Sequence, residues 1–158
     1  MLEPKRNLSD KGLDVLKQVE GFKSKAYKDV AGKWTIAYGH LIVPGDGVVI
    51  GEIIDEYKAT SLLRNDVAAA VSAVNALVTN NKINQNQFDA LVLFTYNVGR
   101  GALQSSTLLK LLNGNVMDLV PNEFGKWNKI RNEKGELVAS NGLTNRRRVE
   151  KDLFVSKE

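Results

Sequence analysis

The stretch Glu20-Gly21-Phe22 … Tyr27-Lys28-Asp29-Val30-Ala31-Gly32-Lys33-Trp34-Thr35-Ile36-Ala37-Tyr38-Gly39-His40 decides the fold, because the chain changes character within it. Just upstream, Leu8-Ser9-Asp10-Lys11-Gly12-Leu13 has the form of a helix start. Ser9 is placed to cap, Asp10 stands in the first turn, and Leu8 is positioned to pack on Leu13 as a hydrophobic staple. That helix is predicted to run to about Glu20, where Gly21 ends it. Beyond it, Val30-Ala31-Gly32-Lys33 is a turn signal between short segments rich in Tyr, Trp, Thr and Ile, so Ala26 to Ile42 reads as a small antiparallel sheet.

Outward from this stretch, Gly39, Pro44, Gly45 and Gly47 separate the sheet from the rest of the chain. From about Ile53 the pattern is helical almost to the end. Leu62, Leu63, Val67, Ala70, Val71 and Val74 recur at three- and four-residue steps, predicting a long helix over Ser61 to Val78 suited to bridging two lobes. Asn84-Gln85-Asn86-Gln87 caps a further helix whose Phe88, Leu91, Val92 and Thr95 form one face, closed by Asn97 and Gly99. It is expected to be a buried centrepiece. Helices are expected at Ser106–Leu112 and Met117–Trp127, then a loop or small hairpin at Asn132–Gly135, then a last helix over Thr144–Phe154.

A chain of 158 residues accommodates one folding unit, possessing either one core or a core split between two small lobes. Hydrophobic residues at 43% and charged residues at 25% are ordinary globular values, which excludes extensive disorder. The absence of cysteine removes disulfides and thiolate chemistry from consideration. Met1-Leu2-Glu3-Pro4-Lys5-Arg6 lacks the apolar core of a signal peptide, and no apolar run approaches the ~20 residues that span a bilayer, so no membrane anchor is expected. The net charge of +4 favours a polyanionic partner without choosing among nucleic acid, anionic lipid and acidic wall polymer. Arg146-Arg147-Arg148 is the one compact basic run and has no interleaved aromatics, so it reads as a solvated helix face and no nucleic-acid partner is expected.

Within the first helix Leu13, Leu16 and Glu20 lie at i, i+3 and i+7, so Glu20 shares the apolar stripe on the last turn, unless it points sideways into solvent. Partial desolvation and the negative end of the helix dipole would both disfavour a carboxylate there, as a general acid requires. Asp29 follows eight residues after Gly21, and Thr35 comes six later. Taken separately, Asp29 reads as a turn residue and Thr35 as an ordinary strand residue.

Together these positions resemble the phage-type lysozymes, the glycoside hydrolases of tailed-phage endolysins (family 24). That pattern places a catalytic Glu at a helix end, an Asp in the first hairpin and a Thr on the next strand, with the Tyr27 and Tyr38-Gly39-His40 positions in register. The resemblance continues through Gln87-Phe88-Asp89-Ala90-Leu91, Asn97-Val98-Gly99, Ser106-Thr107-Leu108-Leu109, Phe124 with Trp127, and Gly142-Leu143 with Arg146-Arg147, covering about residues 9 to 155. Ala37 departs from it, standing where the family commonly has Gly; its methyl group would either narrow the cleft floor or shift the local backbone.

The resemblance implies a mainly helical α+β fold in a single domain, residues 1–158. A small three-stranded sheet lobe at about 21–60 would be joined by a long helix to a helical lobe at about 80–158, with helix 9–20 belonging to the latter, and the glycan would lie in the cleft between lobes. Glu20 would protonate the glycosidic oxygen, Asp29 would stabilise the developing charge and orient water, and Thr35 would hold that water or the Asp29 carboxylate. It also implies an ion pair between His40 and Asp66, and an Arg146 that orients Glu20 or else is a plain surface cation. Tyr38, Leu41, Tyr96 and Asn97 fall where the family lines its cleft, although residues of these types at such spacing also serve as core. No metal or other cofactor is expected, since His40 is the lone histidine. The implied activity is that of a monomeric endolysin cutting peptidoglycan glycan strands, held in the host cytoplasm until a separate membrane-permeabilising partner releases it. Two alternatives are a lytic transglycosylase and a wall-binding module that has lost catalysis; retention of Glu20 and Asp29 argues against the second.

Overall fold

The computed structural model describes residues 5–158; the expectation that concerns the opening Met1-Leu2-Glu3-Pro4 lies outside the described residues. Helix α1 (Asp10–Glu20) begins as the sequence dictates, with the Ser9 hydroxyl accepting from the Gly12 amide at 3.0 Å and with Leu8 and Leu13 both buried. It ends where Gly21 takes a φ of 73° and returns its amide to the Lys17 carbonyl. Only a residue free of a Cβ adopts that turn without strain.

Strands β1 (Lys23–Lys28), β2 (Trp34–Ala37) and β3 (His40–Leu41) form an antiparallel sheet in the order β1-β2-β3. The sheet starts three residues earlier than expected. Tyr27 pairs with Thr35 and Lys28 with Trp34, whereas Lys23 pairs with Ala37, so β1 bulges between these registers. Bulges let one strand carry extra residues past a straighter partner, and alternation alone does not reveal them.

Helix α2 (Glu56–Leu77) starts five residues before the predicted Ser61, because Asp55 caps it by accepting from the Lys58 amide at 2.8 Å. Helix α3 (Gln85–Val98) has a reciprocal capping box between Asn84 and Gln87. Phe88 through Thr95 are all buried, so this helix is enclosed on every side for two turns and not merely on the one face expected. Helix α4 (Arg100–Ser105), which sequence reasoning missed, follows at once after Gly99 turns the chain with a φ of 95°. Helix α5 (Thr107–Asn113) is capped by Ser106.

The helix expected over Met117–Trp127 is broken into a 3-10 turn, Met117–Leu119, and a short α6 (Pro121–Phe124). Pro121 has no N–H to continue a ladder, and its ring obstructs a helix arriving from before it, so the segment restarts there. Strands β4 (Lys129–Arg131) and β5 (Leu137–Ala139) make the small hairpin, and α7 (Asn141–Val155) begins three residues before Thr144 because Ser140 accepts from the Leu143 amide.

By compactness the chain divides into two units, one of residues up to Gly12 with Ala69–Glu158 and one of Leu13–Ala68. The whole of the first helix was expected with the helical lobe, but most of it belongs with the sheet. Lys17 explains this, since its ammonium bonds Glu56 at 2.8 Å and lies 5.7 Å from the Tyr38 ring. In the helical unit Phe94 packs edge-on against Phe124 and Trp127, and Phe124 meets Phe154 at a tilt.

Asp89, fully buried on α3, accepts from the Ser9 amide at 3.1 Å, from the Ser9 hydroxyl and from the Gln85 side chain. Gly12 passes so close that a Cβ there would stand 2.6 Å from Asp89 Cγ and 2.8 Å from Leu8 Cδ1. A Gly→Ala change inside a helix ordinarily gains up to about 1 kcal/mol. Here overpacking costs about 1–3 kcal/mol and acts against a buried carboxylate that cannot move without losing its donors. We expect Gly12→Ala to lower stability in urea denaturation; an increase would show that this approach is looser than described.

Candidate active site

The Leu13–Ala68 unit holds Glu20, Asp29 and Thr35 on successive elements. Glu20 is the half-buried last residue of α1, and its Oε2 stands 3.4 Å from where a side chain on Gly39 would begin. Gly39 has a φ of 78°, so the Tyr38-Gly39-His40 turn needs glycine for its backbone and offers the carboxyl a surface without a side chain.

Asp29 closes the β1–β2 hairpin. Its Oδ1 accepts from the Ala31 and Lys33 amides at 2.9 and 2.8 Å, and its own amide bonds the Lys33 carbonyl. One carboxylate oxygen thus fixes the turn while Oδ2 takes no bond from the described residues. Thr35, 3% exposed, donates its hydroxyl to the Lys33 carbonyl at 3.0 Å. Hairpin register places it opposite Tyr27 and, on the other side, Leu41.

Ala37 has a φ of 60° and is 1% exposed. The backbone keeps the left-handed conformation natural to glycine, at a cost of about 1–2 kcal/mol for an L-residue, and the methyl group is enclosed rather than projecting into open space.

His40 is held between two carboxylates, with Nδ1 2.8 Å from Asp66 and Nε2 2.8 Å from Asp46. The Asp66 partner was expected; Asp46 was not, and the Pro44-Gly45-Asp46-Gly47 turn that delivers it carried only a loop signal. Burial alone would lower the His40 pKa, but the hydrogen bonds and charges of Asp46 and Asp66 outweigh it and raise the group above its ordinary value. Asp46 is held down at about 2 by the Val43 amide first and by His40. The signs set a window. The His40 contribution to stability is complete below its unfolded value near 6.5 and is lost as pH rises through its higher folded value. That of Asp46 is present above its unfolded value and is lost as pH falls toward 2. We therefore expect His40→Asn to destabilise most between about pH 4 and 6.5, with the difference from wild type shrinking as pH rises further; equal destabilisation at pH 5 and pH 9 would contradict this.

The cleft candidates separate. Tyr38 is 6% exposed and donates its hydroxyl to Glu56; burial first, and then Glu56, push it up to about 12, so little of the ring remains for a ligand. Leu41 is exposed. In the helical unit, Tyr96 is half-buried, and the exposed Asn97 accepts from the Arg147 guanidinium at 2.7 Å.

The expected solvated face of Arg146-Arg147-Arg148 is corrected, since only Arg148 is exposed there. Arg146 is buried, bonding the Leu93 carbonyl and Glu150, each at 3.2 Å. Arg147 is 1% exposed, bonds Glu150 Oε2 at 2.9 Å and lies over the Phe94 ring at 5.2 Å. Its Nε is 2.7 Å from Glu150 Oε1, an ion pair at an angle outside hydrogen-bond geometry. Glu150 itself, fully buried, was not singled out from sequence; the signal available was a Glu three and four residues after two arginines on one helix. Among the described residues no group of three or more His, Cys, Asp and Glu side chains is arranged to hold a metal ion.

The chain is similar to known proteins over most of its length. An endolysin of Bacillus phage B103 is 45% identical over 154 residues, spanning 96% of this chain and 55% of that protein. An endolysin of Acyrthosiphon pisum secondary endosymbiont phage 1 is 37% identical over 95% of this chain and 99% of its own length. The chain therefore spans about half the length of one relative and nearly all of the other. Among solved structures, an endolysin from Escherichia coli O157:H7 phage FAHEc1 superposes with a TM-score of 0.88 at 41% identity, covering 97% of this chain and 96% of that one. A P22 lysozyme mutant superposes with a TM-score of 0.81 at 34% identity, covering 96% of this chain and 99% of that one. The family model for phage lysozyme matches residues 17–150, nearly everything from the middle of α1 to the middle of α7, and the chain belongs to that family.

Proposed function

We propose that this chain is an endolysin-type muramidase of glycoside hydrolase family 24, hydrolysing the β-1,4 bond between N-acetylmuramic acid and N-acetylglucosamine in peptidoglycan. The observation that carries this reading is the placement of Glu20 against Gly39, on the turn that follows the hairpin bearing Asp29 and Thr35. Glu20 donates its proton to the glycosidic oxygen as positive charge develops at the sugar carbon. Asp29, anchored through Oδ1, directs Oδ2 at that charge or at the attacking water. The Thr35 hydroxyl, whose proton is committed to the Lys33 carbonyl, serves as an acceptor for the same water. Within the same unit, Leu41 contributes to glycan binding.

Purified peptidoglycan digested by the wild type should yield new reducing ends by mass spectrometry. Anhydro-sugar ends in their place would move the chain to the lytic transglycosylase reading, and absence of any cleavage by folded protein would reduce it to a wall-binding module. On this reading the enzyme acts as a monomer and stays in the host cytoplasm until a separate membrane-permeabilising partner admits it to the wall. Among the described residues no helix is long and apolar enough to cross a membrane. Lysis that proceeds equally with and without such a partner in coexpression would overturn that route.

A further inference from the structure

Charge in the Leu13–Ala68 unit is segregated in a way that its fold does not require. The unit holds seven Lys and Arg against eight Asp and Glu, but residues 23–33 contain four lysines and a single acid, so the remainder has three basic and seven acidic residues. Lys23, Lys25, Lys28 and Lys33 are all exposed, and none of them makes an ion pair among the described residues. Lys17 and Lys58, by contrast, are paired with Glu56 and Glu52. The one acid of the strip, Asp29, has an oxygen bonded to two backbone amides, and Lys28 lies over the Trp34 ring at 5.4 Å. The overall charge of +4 does not account for four lysines within eleven residues of an otherwise acidic unit, and like charges on one hairpin repel one another unless an anion meets them.

We infer that this hairpin is an anion-recognition surface that reads the free carboxylates of peptidoglycan stem peptides while Asp29 faces the glycan. The inference rests on the proposed muramidase reading, which brings a glycan strand to the same turn. A muramic acid residue there carries its peptide away from the sugar backbone, and the hairpin lysines are the cations nearest in sequence to the residue proposed to meet the sugar. Ammonium groups on flexible stems suit carboxylates whose positions vary along a strand. Attraction of this kind acts on binding more than on the chemical step and is screened by salt.

The test compares wild type with a variant in which Lys23, Lys25, Lys28 and Lys33 are all Gln, on wall strands with free stem-peptide carboxylates, on strands with those carboxylates amidated, and on strands stripped of peptide. At about twofold per exposed charge, the four changes together should raise KM roughly fifteenfold on free-carboxylate strands at low salt, with kcat preserved. The wild type's preference for free over amidated strands should disappear in the variant and shrink with added salt. Equal KM changes on all three substrates, or none on any, would overturn the inference, as would a wild type indifferent to amidation. Retention of that preference by the variant would assign it elsewhere. Cosedimentation with the same three wall preparations gives the binding comparison without turnover, so failure of the muramidase reading, seen as no reducing ends from any substrate, is distinguishable from failure of this one.

Discussion

Glu20→Gln should reduce the release of reducing ends from peptidoglycan by a factor of about 10²–10⁴, the range that a positioned general acid supplies. The substitution keeps the size and shape of the side chain at the end of α1, beside Gly39, and replaces the ionisable carboxyl with an amide that cannot act as an acid. Folding is therefore expected to be kept, with the far-ultraviolet spectrum unchanged and the melting temperature close to that of the wild type. Loss of activity with an intact fold isolates the proton donor. Activity within tenfold of wild type would place the general acid elsewhere and sink the proposed mechanism.

The largest effect on stability is expected at Glu150. Its carboxylate is fully buried and meets Arg146 at 3.2 Å and Arg147 at 2.9 Å, so Glu150→Gln removes the negative charge that these two enclosed guanidiniums share. Burial pushes the Glu150 carboxyl up, and the two arginines pull against it. Breaking a buried pair by removing one partner costs about 3–5 kcal/mol, whereas replacing the whole group with apolar residues of similar volume is often neutral. Chemical denaturation should therefore show a loss of that order for Glu150→Gln. Replacing Arg146 and Arg147 with Met and Glu150 with Leu together should recover much of it. A loss below about 1 kcal/mol for the single change would mean that water reaches the cluster.

Local chemistry makes much of the molecule legible in its sequence. Ser9, Asn84, Gly21 and Gly99 announce helix ends because capping and left-handed turns are settled by a few neighbouring residues. The Val30-Ala31-Gly32-Lys33 turn and the Asp29 position follow from hairpin chemistry of the same short range. The misreadings have equally specific causes. Pro121 splits a segment whose apolar spacing looks continuous, and α4 escapes because a six-residue helix has too few periodic positions to register. The basic run at Arg146 reads as solvated because charge in sequence says nothing of what lies opposite.

The sequence by itself determined the first helix and its end, the hairpin that bears Asp29 and Thr35, and the capped start of α3, since each depends on spacing within one element or turn. Only the tertiary structure decided that Asp46 closes on His40 beside Asp66, that Tyr38 is enclosed against Glu56, and that Arg146 and Arg147 meet the Glu150 carboxylate inside the protein. These are pairings between side chains whose ionisation and burial depend on their partners. A buried charge is tolerable only where an opposite one is brought to meet it, and that meeting is a property of the packed chain.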